Sequence, residues 1–178
     1  MMKFGIIAVF ALILASCSSP TVLYDYDSTV NFQSYKTYNI YPIQDSLLTA
    51  SDQKAIVETL NDSLQSYGLK EKLIPDFRVN VYADQYQTVS SNYTGVQVGM
   101  FSGFAGLGAS IPATAVKNKF SLTIEFVDGL TKSLFWQAVV ETSQSKMNNQ
   151  EERLLLFDEL ISAALKKYPG FYPELVED

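Results

Sequence analysis

The sequence predicts an α+β fold: a two-layer sandwich in which two amphipathic helices pack on one face of a mostly antiparallel sheet. Three observations carry this. Apolar residues recur at every second position from Phe77 to Ala83 and again from Phe120 to Phe126, the mark of strands buried on one face. Residues 51–67 and 149–168 instead repeat their apolar positions at the helical interval,. Strands with a single apolar face need cover, and two amphipathic helices supply it. Strand order is not legible in these patterns.

The chain opens with Lys3 and an apolar or glycine run from Phe4 to Ala15, followed by Ser16 and the only cysteine, Cys17. A basic start, a short apolar segment and small residues before a cut site describe a secretory signal peptide over residues 1–16. The run is well short of the roughly 20 residues a membrane-spanning helix needs. Leu14-Ala15-Ser16-Cys17 resembles the lipobox of bacterial lipoproteins. That resemblance implies a diacylglycerol on the Cys17 thiol and an acyl chain on its new amine, with no other cofactor. Residues 17–23 are then a lipidated tether, holding the domain within roughly 20 Å of a membrane at ~3.5 Å per residue. The chain carries 13 basic and 19 acidic residues, and losing residues 1–16 removes one base and no acid. This acidity argues against nucleic acid as a partner and against electrostatic docking on anionic lipid. With one cysteine no intrachain disulfide forms, so a single domain of residues 24–172, followed by a tail at 173–178, must be held by its core.

Structure is expected to begin near Leu23. Phe32 to Tyr41, rich in tyrosine, suits a first strand ended by Pro42. The helix over Ser51 to Tyr67 buries Ile56, Val57, Leu60 and Leu64, with Ser51 as cap, Asp52 in the first turn and Gly68 closing the end. After Pro75, Phe77, Val79, Val81 and Ala83 face one way, while Arg78, Asn80, Tyr82 and Asp84 face the other. Asp128-Gly129 begins a turn longer than two residues, and Leu134 to Glu141 returns as the second strand of a hairpin. The last helix, Asn149 to Tyr168, presents Leu154, Phe157, Ile161, Ala164 and Leu165 as its buried stripe. Glu151 and Glu152 at its start and Lys166 and Lys167 at its end suit the helix dipole.

Gln85 to Val116 contains no charged residue, and residues 94–111 form a glycine-rich loop. Gly95, Gly99 and Gly103 have the spacing of close helix contacts in membranes, with Met100, Phe101, Phe104 and Leu107 among them as candidate binding residues. Three readings compete: a connection between two strands, an apolar flap touching a partner or the bilayer, and an inserted glycine-zipper helix. The first is favoured, since Pro112, Gln97, Ser102 and Ser110 interrupt the run and glycine is costly in a helix.

The inventory for catalysis is thin, and the chain is read as not an enzyme. There is no histidine, the commonest general base, and no set of ligands for zinc or an iron–sulfur cluster. Ser51-x-x-Lys54 and Ser143-x-x-Lys146 match a serine–lysine spacing, but no K-T-G element accompanies them. Asp25 and Asp27, two apart in an extended segment, are the best carboxylate pair for acid–base work or calcium. Exposed acids flanking Tyr24 and Tyr26 are the plainer explanation. Tyr35, Tyr38 and Tyr41 suit stacking on sugar rings, and equally suit packing on a helix.

Several elements in order resemble a bacterial lipoprotein family, the domain of unknown function DUF4136. They are Asp25-Tyr26-Asp27, Phe32 with Tyr35-Lys36-Thr37-Tyr38, the helix with Ile56 and Leu60, and Pro75-Asp76-Phe77. Leu122 to Asp128, Leu134-Phe135-Trp136-Gln137-Ala138 and a last helix ending at Tyr168-Pro169 complete the set. The resemblance implies a compact α+β envelope domain with no established activity and no catalytic residues to carry over. The expected role is a lipid-anchored, non-enzymatic binding or accessory module at the outer membrane, its domain facing the periplasm. Candidate partners are an envelope protein, peptidoglycan or a lipid. Alternatives are a small hydrolase or glycan-binding enzyme built on Asp25 and Asp27, and an auxiliary lipoprotein of an envelope lipid transporter.

Overall fold

The computed structural model describes residues 20–91, 114–147 and 149–175. Within them the chain forms an α+β fold of two helices and one mixed sheet. The elements are β1 (Thr21–Tyr26), β2 (Thr37–Ile40), α1 (Ala50–Ser66), β3 (Lys70–Glu71), β4 (Phe77–Ser91), β5 (Thr114–Asp128), β6 (Leu134–Ser143) and α2 (Gln150–Leu165). The sheet order is β1-β6-β5-β4-β2-β3. β1, β6, β5 and β4 pair antiparallel with one another in that order, whereas β2 is parallel to both β3 and β4. The two parallel pairings come from α1: a strand that returns through a helix lies parallel to the one before it.

Register decides which residues meet the core. Val79, Phe126, Trp136 and Tyr26 lie opposite one another across four strands, as do Val81, Ile124, Ala138 and Tyr24. Phe77, Val79, Phe126, Trp136 and Ala138 are fully buried, in one apolar cluster with Ile56, Leu60 and Leu64 of α1 and Phe157, Leu160 and Ile161 of α2. β6 carries one extra residue where Phe126 faces Trp136 and Val127 faces Leu134. Such a bulge turns two consecutive side chains inward, and both Phe135 and Trp136 are buried. The Trp136 Nε1–H donates to the Lys167 carbonyl at 3.0 Å.

Several elements differ from the sequence expectation. The first strand is not Phe32–Tyr41 but Thr21–Tyr26, which begins inside the segment read as tether, because Thr21 and Val22 pair with Glu141 and Val140. Phe32–Ser34 is a 3-10 turn, since the Asn31 side chain accepts from the Gln33 N–H and the Ser34 hydroxyl donates to the Asn31 carbonyl. Only Thr37–Ile40 of that stretch is strand. At α1 the cap is Thr49, not Ser51. Thr49 and Asp52 satisfy each other's backbone in a capping box,. Leu154 is 39% exposed, while Leu156 and Leu160 are buried, because α2 packs against α1 as well as against β6. Gly68 closes α1 as expected, with φ +84°.

β4 and β5 run longer than expected and pair from Phe77 with Asp128 to Ser91 with Thr114, so most of the charge-free stretch outside residues 92–113 is strand. Cys17 and the candidate residues Met100, Phe101, Phe104 and Leu107 lie outside the described residues.

Candidate functional site

Several of the residues that carry the family resemblance, Tyr35, Lys36, Thr37, Asp76, Asp128 and Phe135, meet at one junction. Asp76, between Pro75 and Phe77, accepts the Lys36 and Thr37 N–H groups at 2.9 and 2.8 Å on one carboxylate oxygen. Its own N–H donates to the Thr37 carbonyl, and its carbonyl accepts the Gly129 N–H at 2.7 Å. The Tyr35 hydroxyl donates to Asp128 at 2.9 Å, and its ring stacks on Phe135 with centroids 4.2 Å apart. The other Asp128 oxygen accepts the N–H groups of Leu130 and Thr131. The Thr131 N–H, above all, holds the Asp128 carboxyl below its ordinary range, with Tyr35 and Leu130 adding to it against burial. Burial works to raise Asp76, but the donors from Lys36 and Thr37 and the charge of Lys72 outweigh it and leave that carboxyl lowered. Burial, and then Asp128, push the Tyr35 phenol upward. These are ionised acceptors and a neutral phenol in fixed hydrogen bonds. The junction ties β2, β4 and the β5–β6 turn together and leaves none of these groups free as a base.

Asp25 and Asp27 are not brought together for chemistry. Asp25 ends up exposed on β1 opposite Gln137. Asp27 lies beyond the strand and accepts both the Thr29 hydroxyl and the Thr29 N–H. The hydroxyl first, then the N–H, lower its carboxyl, the opposite of what a general base near neutral pH requires. A shallow hollow of about 200 Å³ is lined by this pair together with Leu134, Phe135, Trp136 and Gln137. Among the described residues no group of three or more acids, cysteines or histidines is placed to hold a metal. The serine–lysine pairs also part company: Lys54 pairs with Glu58 on the surface of α1, and the Ser143 hydroxyl bonds that of Ser145. Tyr35 and Tyr38 pack into the core; of the three tyrosines considered for stacking, only Tyr41 is well exposed.

The other face of the sheet is the more distinctive surface. Arg78, Asn80, Tyr82 and Tyr86 alternate away from the core on β4, beside Glu125 of β5 and Glu141 of β6. Arg78 stacks 5.3 Å above the Tyr41 ring. The Asn80 amide donates to Glu125 at 3.3 Å, and Tyr82, next to Glu125, is 41% exposed. Burial and then Glu125 raise the Tyr82 phenol; the Tyr86 phenol, donating to Glu141, is pushed up to about 12. Among the described residues no helix contributes to this face. Its polar members were legible in the two-residue alternation, but their grouping with Tyr41 and Glu125 came only from strand register. A cleft of about 770 Å³ at the sheet end, between Pro20, Lys117, Lys119 and Glu141, adjoins it.

These features define a small α+β domain with a structural junction and an aromatic–polar sheet face that no helix among the described residues covers. The chain belongs to the domain of unknown function DUF4136, whose family model matches residues 22–170. No curated protein sequence matches it. Among solved structures it is similar to a PDZ domain protein from Parabacteroides distasonis, with 12% identity and a TM-score of 0.50. That likeness covers 92% of this chain and 40% of the other, so this chain spans less than half of that protein. A PelC dodecamer from Paraburkholderia phytofirmans is similar at 13% identity and a TM-score of 0.45, covering 80% and 96% of the two chains. A putative neuraminyllactose-binding hemagglutinin homolog from Helicobacter pylori follows at 13% identity and a TM-score of 0.38, covering 75% and 85%. Likeness at such identities concerns the fold alone.

Proposed function

We propose that this protein is a non-enzymatic binding module of the bacterial envelope, anchored through lipid on Cys17 and facing the periplasm from the outer membrane. The observation that carries the binding role is the face bearing Tyr41, Arg78, Asn80, Tyr82 and Tyr86, which no helix among the described residues covers. Phenol and amide groups held by Glu125 and Glu141, and a guanidinium stacked on the Tyr41 ring, suit docking of a polar partner, with little side-chain entropy left to lose,. Tyr35, Asp76 and Asp128 of the family motifs are committed to the junction, and Asp27 is committed to its own turn. Both support a binding role over a hydrolase.

The test is a crosslinking pull-down of the full lipidated chain from its native envelope, run beside Arg78→Ala with Tyr82→Ala and beside Cys17→Ser. A partner lost in the face variant, whose melting temperature is unchanged, supports the reading. Co-purification of a lipid transporter would specify the accessory role. A hydrolytic activity lost in Asp25→Asn with Asp27→Asn, at unchanged stability, overturns it. Cleavage of the domain by protease added to intact cells would overturn the periplasmic placement.

A further inference from the structure

At the end of the sheet where the β5–β6 turn lies, three aliphatic side chains stand in solvent: Leu73 and Ile74 are each 88% exposed and Leu130 is 90% exposed. Two separate loops deliver them. The segment between β3 and β4 supplies Leu73 and Ile74, and the β5–β6 turn supplies Leu130. The loops are locked together at the next residues along: the Gly129 N–H donates to the Asp76 carbonyl at 2.7 Å, and a Cβ on Gly129 would lie 2.3 Å from the Pro75 carbonyl oxygen. The trio is therefore a fixed tip, held by the junction described above.

Its surroundings are cationic, in a chain whose formal net charge is −6. Lys36, Lys70, Lys72 and Lys132 are all exposed on the same two loops and the adjoining strand ends. Lys72 sits near enough to lower the Asp76 carboxyl, and Lys132 reaches the Gly129 carbonyl. The acids among them are Glu71, which is exposed, Asp76, one of whose oxygens accepts the Lys36 and Thr37 N–H groups, and Asp128, which accepts the Leu130 and Thr131 N–H groups on one oxygen and the Tyr35 hydroxyl on the other.

From this we infer that the Leu73, Ile74 and Leu130 tip is a lipid-contacting element that inserts into an anionic bilayer surface. Aliphatic side chains ringed by lysines match the acyl boundary and the phosphate layer above it, each at its own depth. A protein partner would cover such a trio without needing the lysine ring. The local cluster also qualifies the argument from net charge: acidic groups of the chain that lie more than about a Debye length, ~8–10 Å, from the tip are largely screened there. The inference is independent of whether Cys17 carries lipid.

The experiment places a fluorescent reporter on the tip of the full chain. Leu130→Trp is compared with Leu155→Trp, which puts the same residue at a 75% exposed site on α2; Trp136 is buried in both. Vesicles of phosphatidylglycerol or phosphatidylcholine carrying brominated acyl chains are added, so that anything drawing the whole chain to the vesicle acts on both variants alike. The expected result is a blue shift and several-fold stronger quenching for Leu130→Trp than for Leu155→Trp on phosphatidylglycerol, weakened in high salt. Leu73→Ser with Ile74→Ser, on the Leu130→Trp background, should abolish that difference while leaving the melting temperature in place. Equal quenching at both sites, or none at Leu130→Trp, overturns the inference, as does a signal that survives Leu73→Ser with Ile74→Ser. A blue shift that appears only on adding a purified envelope protein, without quenching by lipid, assigns the tip to a protein and also overturns it.

Discussion

Asp128 accepts hydrogen bonds from Leu130, Thr131 and Tyr35, so one carboxylate shapes the hairpin turn and fastens it to the turn before β2. Asp128→Ala is expected to cost about 1–2 kcal/mol, as donors to a charged acceptor are left to solvent. Urea denaturation at neutral pH measures this. The same group carries a pH dependence. Asp128, Asp76 and Asp27 all have carboxyls lowered from their ordinary value of 3.8, so the folded state binds protons less readily than the unfolded one. Their contribution is complete above that value and disappears as pH falls through the lowered ones. Thermal melts should therefore be nearly flat with respect to these groups above about pH 5 and fall steeply below pH 4, and the fall should be shallower in Asp128→Ala. Gly129 is the second sensitive position. A methyl there meets the Pro75 and Asp76 carbonyl oxygens at 2.3 and 2.9 Å, and backbone cannot swing aside as a side chain would. Gly129→Ala should destabilise by about 2–3 kcal/mol, read in the same titration.

At the scale of elements, the two helices are joined by more than apolar contact. Arg153 of α2 pairs with Asp52 of α1, which is fully buried and already part of the capping box at Thr49. Removing only the arginine strands a buried carboxylate, so Arg153→Met should cost about 3 kcal/mol, and adding Asp52→Asn should recover part of it. A double-mutant cycle by urea denaturation checks both steps. Phe157, Ile161, Ala164 and Leu165 of the expected α2 stripe are buried, but the contact with α1 adds Leu156 and Leu160 and leaves Leu154 out. Helical spacing detects one apolar face, but α2 meets α1 and β6 together and buries Leu156 and Leu160 in the process. The turn before β2 failed to read as a turn for a similar reason. Its tyrosines have strand propensity, yet Asn31 and Asp76 offer the backbone local partners that a ladder would otherwise supply,.

For the whole molecule, the stability of the described core should not depend on the glycine-rich stretch. Deleting Gly99 to Gly108 shortens the link between Ser91 and Thr114 but removes none of the β4–β5 pairs. A single cooperative melt within a few degrees of the parent is expected. Loss of cooperativity would show that this stretch belongs to the core.

Alternation and helical spacing were enough to place both helices, the inward residues of β4 and β5 and the β5–β6 hairpin, because periodicity is set by local backbone geometry and by which face is apolar. Those patterns also listed Arg78, Asn80 and Tyr82 as outward-facing. Tertiary structure alone decided the rest. The parallel placement of β2 between β3 and β4, the bulge at Phe135, the meeting of Tyr35, Asp76 and Asp128, and the union of Leu73, Ile74 and Leu130 in one tip all depend on pairings between residues far apart in the chain. No local propensity encodes such pairings. They are selected by the joint requirement that every buried polar group find a partner and every apolar face find cover.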